Sequence, residues 1–141
     1  MDYESHYREL FKPLEMAQGS LDSDTLTSII GFSAGGAISL MKIERKNIYV
    51  TCELSAYPEQ KPSTEGFRFE LLSLGSFDED TCRSLFTALG ALSMDVALGN
   101  GHTVDVSGAV ESKHVANVRL KLFSKSTIGN EHFGVYEVLP A

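Results

Sequence analysis

The sequence is short of three things: cysteine, basic charge and long apolar runs. Two cysteines, Cys52 and Cys82, occur in 141 residues. That is too few for a disulfide framework, and both lie in apolar runs, so both read as buried thiols. No CxxC occurs, and His6, His102, His114 and His132 show no H-x-x-x-H pairing. The spacing therefore points to no metal site and no cofactor. Twelve Lys and Arg against nineteen Asp and Glu leave a net charge of -7. Nucleic-acid binding needs a basic footprint, so that class is not expected. The acidic balance serves solubility, and it also suits a basic protein partner. No segment approaches the roughly 20 apolar residues of a membrane helix. The charged opening MDYESHYREL lacks the apolar core of a signal peptide, so a cytoplasmic location is expected.

What is present is the composition of a folded domain, 43% hydrophobic and 22% charged. One domain over residues 1–141 is expected. Tyr3, Tyr7, Leu10, Phe11 and Leu14 recur at helical spacing, with Pro13 placed to end or kink the helix near Lys12 and Gly19 to close it. TSIIGF and AISLMKIER read as strands joined by a hairpin through GFSAGG (31–36). NIYVTCELS alternates: Ile48, Val50, Cys52 and Leu54 on one face, Tyr49, Thr51, Glu53 and Ser55 on a wet face. FRFELLSL alternates likewise, with Phe67, Phe69 and Leu71 opposite Arg68 and Glu70. SFDE (76–79) fits a capping box and opens a helix at about 78–97, whose stripe is Cys82, Leu85, Phe86, Leu89, Leu92 and Val96. HTVDVS, NVRLKLFS and FGVYEVL follow as strands. Consecutive strands with short turns predict α+β: a mostly antiparallel sheet covered on one face by the 78–97 helix, with an N-terminal helix.

Chemistry-bearing motifs are sparse. In GNGHTVDVSG (99–108), Gly99, Asn100 and Gly101 read as a tight turn, because Asn100 and Gly101 tolerate positive φ, and His102 begins a strand in which Val104 and Val106 face the core. His102 and Asp105 stand three residues apart, on opposite faces of a strand, which makes them a poor catalytic pair. GFSAGG lacks the G-x-S-x-G of a nucleophile elbow and the spacing of a phosphate loop. No catalytic residue is assigned. Asp78, Glu79 and Asp80 form a candidate acidic protein-binding patch, though stabilisation of a helix start already accounts for them. A ligand pocket or enzyme site around His102 is the alternative reading.

EGFRFELLSL, followed by CRSLFTALGALSMDVALGNGHTVDVSGAV and then FGVYEVLP, resembles the Suppressor of fused domain. NIYVTCELSAYP is similar to an earlier strand of that family. The specific part is Gly101, His102, Thr103 and Asp105 at the right distance after Phe69, Glu70 and Leu71. The resemblance implies an α+β domain without catalytic activity that binds a protein. In animal members the bound peptide joins a sheet as an added strand. Read as one domain, this chain lacks the second lobe that clamps such a peptide. Bacterial single-domain members include immunity proteins of toxin systems. A compact acidic chain fits that role, with a basic toxin as partner. On this reading the signature residues are structural, and His102→Ala is expected to act mainly on stability.

Overall fold

The computed structural model describes residues 3–22, 26–29, 38–108 and 115–141. The hairpin connection expected at 31–36 and His114 lie outside the described residues. The N-terminal helical pattern is interrupted where the proline demands it. Helices α1 (Tyr3–Leu10) and α2 (Lys12–Gln18) flank Phe11. Pro13 sits in the first turn of α2, where a missing N–H costs no helical bond. Gly19 ends α2 at φ 101, and its N–H donates to the carbonyl of Glu15.

Strands β1 (Leu26–Ile29), β2 (Ile38–Ile43), β3 (Ile48–Cys52), β4 (Arg68–Leu74), β5 (Thr103–Asp105), β6 (Asn117–Ile128) and β7 (Glu131–Pro140) form one sheet in the order β1-β2-β3-β4-β7-β6-β5. All neighbours are antiparallel except β4 and β7, which run parallel. The fold is α+β, as the run of consecutive strands predicts. A long helix, α3 (Glu79–Ser93), covers one face, packing Cys82, Leu85, Phe86 and Leu89 on Tyr49, Phe69, Leu71 and Tyr136. The N-terminal helices cover the other face, where Tyr7, Leu10, Phe11 and Leu14 meet Ile43, Ile48, Val50, Leu72 and Val135.

Cover on both faces, by α3 over Tyr49 and by α1–α2 over Ile48 and Val50, corrects the expectation of a wet face on β3. Tyr49 and Thr51 are as buried as Ile48 and Val50. Alternation records two distinct faces, and here each has its own helical cover.

Helix α3 also starts and stops differently from its sequence pattern. Its cap is Asp78, whose carboxylate accepts from the Thr81 N–H at 2.8 Å. The capping box expected from Ser76 does not form there. Phe77 is buried, so the chain drops into the core between Ser76 and the first helical turn. The helix ends at Ser93, short of position 97, and Val96 lies beyond it, exposed. Its last carbonyl, on Ser93, accepts from the Lys61 N–H at 2.8 Å, so the 53–67 loop terminates it.

Candidate functional site

Three places deserve a chemical reading: the turn before β5, the buried acid of β4, and a groove under α1. The turn is built around glycines. A Cβ at Gly99 would lie 1.8 Å from Thr64 Oγ1, so only glycine fits without displacement, and Gly101 adopts φ 86. The Gly101 N–H donates to Leu120 O at 2.7 Å, and the Leu120 N–H donates to His102 O at 2.9 Å. The Asn100 N–H donates to Glu65 Oε1 at 2.8 Å, while Asn100 Oδ1 accepts from the Leu122 N–H at 2.8 Å.

Glu65 is therefore the anchor of the turn. It also accepts from the Tyr136 hydroxyl at 2.6 Å and from Thr64 Oγ1 at 2.9 Å. Desolvation works against its charge, but the bonds from Tyr136, Asn100 and Thr64 win and hold its carboxyl below the usual range. His102 takes part through its backbone, and its side chain is partly exposed. Thr103 and Asp105 face solvent on the edge strand. Asp105 does not bond Thr103; its Oδ1 accepts from the N–H and the hydroxyl of Ser107 at 2.9 and 2.7 Å. The signature residues are thus not gathered at one place. Phe69 and Leu71 lie under α3, whereas Glu70 lies on the opposite face of the sheet.

Glu70 is fully buried. Its Oε1 accepts from Thr51 Oγ1 at 2.8 Å and from the Leu54 N–H at 3.1 Å. Its Oε2 accepts from the Ser55 N–H at 2.6 Å, from the Tyr7 hydroxyl at 3.0 Å and from the Ser55 hydroxyl. The local chain path explains why. Strands β3 and β4 pair over Ile48–Val50 and then separate. Below that point the loop 53–67 takes the place of a neighbouring strand. Gln60 stands in for one residue of it: its Oε1 accepts from the Phe69 N–H at 3.0 Å, and its Nε2 donates to Phe69 O at 3.1 Å. Thr51 Oγ1 accepts from the Leu71 N–H at 2.8 Å. Glu70 then binds the short turn Leu54–Ala56, closing the gap from the other face.

Burial pushes the Glu70 carboxyl up to about 7, against the opposing effect of the bonds from Ser55, Thr51 and Tyr7. Burial likewise pushes the Tyr7 hydroxyl and the neighbouring Cys52 thiol well above their ordinary values, so both stay protonated at neutral pH. Chemically this is a proton-sensitive cluster with every acceptor position occupied by protein.

The groove lies beside this cluster, between α1–α2 and the β2–β3 part of the sheet, with a volume of about 470 Å³. Phe11, Met41 and Cys52 contribute its apolar lining, and Glu4, Glu15, Asp22 and Glu53 contribute carboxylates. The acidic patch named from sequence is elsewhere and largely committed. Asp78 caps α3, and the bond from Thr81 holds its carboxyl below the usual range. Glu79 pairs with Arg83 at 3.6 Å, and Asp80 is exposed.

Both cysteines are free thiols, and among the described residues no group of three His, Cys, Asp or Glu could hold a metal ion. No helix among them is long and apolar enough to cross a membrane. Sequence reasoning named Glu70 but missed its partners Tyr7, Thr51 and Ser55, and missed Gln60 on the adjacent Phe69 backbone. The available signal was a carboxylate between the apolar residues Phe69 and Leu71 of β4. Comparison with protein-family models, with curated proteins and with solved structures finds no match to this chain.

Proposed function

We propose that this chain is a protein-binding domain of the Suppressor of fused type, serving in the bacterial cytoplasm as an immunity protein or inhibitor of a basic protein such as a toxin. The observation that carries this reading is the saturation of Glu70. The acid with the strongest candidacy for proton chemistry accepts five protein hydrogen bonds and is sealed from solvent. A general acid or base must reach a substrate proton, and this one is occupied with joining α1, β3 and the 53–67 loop. The surface offers shape and negative charge instead, with a chain total of -7. Opposite potentials accelerate capture of a cationic target.

The alternative, a ligand or enzyme site around His102, has less support. His102 lends favourable charge to Glu65, but that carboxylate is already bonded to Tyr136, Asn100 and Thr64.

The test is to read the neighbouring genes for a toxin with a basic effector domain and to co-express that domain with this chain. The expected outcome is restored growth and a stoichiometric complex whose affinity drops as salt is raised. Failure to form a complex, together with turnover of a small molecule that depends on His102, would replace this reading with the alternative.

A further inference from the structure

We propose that the groove between α1–α2 and the β2–β3 side of the sheet is where a cationic amphipathic segment of the partner docks, an inference that rests on the protein-binding reading above. Its size is right for a few side chains, since ligand clefts of roughly 300–1,000 Å³ are usual and this one holds about 470 Å³. Phe11, Met41 and Cys52 give it a lining that favours aliphatic or aromatic groups.

The rim sets the sign of the occupant. Among the described residues, four carboxylates line the groove against the single cation Arg8. Arg8 is itself bonded to Glu4 at 3.0 Å, so it neutralises the rim only there. Glu15 and Asp22 each accept one backbone N–H, from Leu21 at 2.9 Å and Glu44 at 3.0 Å. An amide orients a carboxylate without cancelling its charge. Glu53 keeps its place at φ 84, a conformation that side-chain-bearing residues rarely adopt. An anionic or neutral segment would meet three uncompensated charges beside an apolar surface. A segment alternating lysine or arginine with leucine-like residues would satisfy both.

Past the groove stands one exposed apolar side chain among charged and polar neighbours, Lys12 and Glu9 included. Met16 on α2, 80% exposed, lines a neighbouring concavity that shares Arg8 and Glu15 with the groove.

The experiment follows methionine methyl resonances of the intact chain on titration with a short peptide of alternating lysine and leucine. Met41 lines the groove, and Met94 belongs to the core on the α3 face, so it is an internal control. The expected result is a saturable shift at Met41 with Met94 still, and binding about fivefold weaker in the Glu53→Gln, Asp22→Asn double variant. Both replacements keep an acceptor oxygen, so folding is retained, as unchanged Met94 signals would verify. Equal binding of a glutamine-for-lysine peptide would overturn the charge argument. Peptide binding with Met41 silent would overturn the groove and leave the protein-binding reading intact. Absence of peptide binding would likewise overturn the groove as a cationic site, whereas loss of the effector complex itself would remove the underlying reading. A Met41 shift produced by raising protein concentration alone would identify a second copy of this chain as occupant, and would overturn the proposal.

Discussion

A carboxylate carried out of water loses its hydration, and Glu70 recovers part of it from Thr51, Leu54, Ser55 and Tyr7. Removing the acid strands all of these donors at once. Glu70→Leu is therefore expected to cost about 3 kcal/mol or more, measured by urea unfolding, despite its gain in apolar character. His6, on α1 next to the Glu70 partner Tyr7, presents the reverse case. It is 2% exposed, its Nε2 has no hydrogen-bond partner, and its ring meets Tyr7 and Phe133 edge-on. Burial, helped by the charge of Arg68 and opposed by Glu131, lowers its pKa. A depressed histidine contributes stability above its unfolded value near 6.5 and loses it as pH falls through the folded value. Glu70 has the opposite sign: raised from 4.5 to about 7, it contributes stability at low pH that is lost as pH climbs through that window. His6→Phe removes one of the two slopes. Its stability relative to the parent chain is expected to improve as pH is lowered from about 8 to about 5, and a pH-independent difference in unfolding free energy would contradict this.

At the scale of elements, the sheet holds together across a place where a strand is missing. Gln60 supplies both a donor and an acceptor to Phe69, as a strand residue would. Gln60→Ala is expected to destabilise by about 1–3 kcal/mol, with faster hydrogen exchange at the Phe69 amide than at Leu72, which sits where β4 is still paired with β3. Such a polar side chain inside a loop leaves no periodic trace, so the substitution was invisible in sequence. The strands and α3 were legible because periods of two and of 3.6 are written in their apolar residues. The burial of Glu70 was not legible for a related reason. Alternation separates two faces but does not tell water from a second layer of helices. Pro13 announced a break correctly, yet nothing in the spacing said that α1 would lie across the sheet. The turn at 99–101 was read correctly as a tight reversal. Its true anchor, Glu65, is distant in sequence and was missed. The structure also shifts the expectation for His102: its fastening bonds are made by backbone atoms, which alanine retains.

For the molecule as a whole, the order of strands matters as much as their number. The parallel partnership of β4 with β7 puts residues 131–140 in the middle of the sheet, between β4 and β6. Hydrophobic groups from both layers rest on that strand: Val135 on the side of α1, Tyr136 and Val138 on the side of α3. During synthesis, therefore, strands β1 to β4 and helices α1 to α3 emerge from the ribosome before the element that joins them to β5 and β6. Neither half can close its core alone, and folding must wait until this segment has been translated and released from the exit tunnel. Until then the nascent chain exposes an unoccupied strand position on β4, a vulnerable interval that chaperones would have to cover.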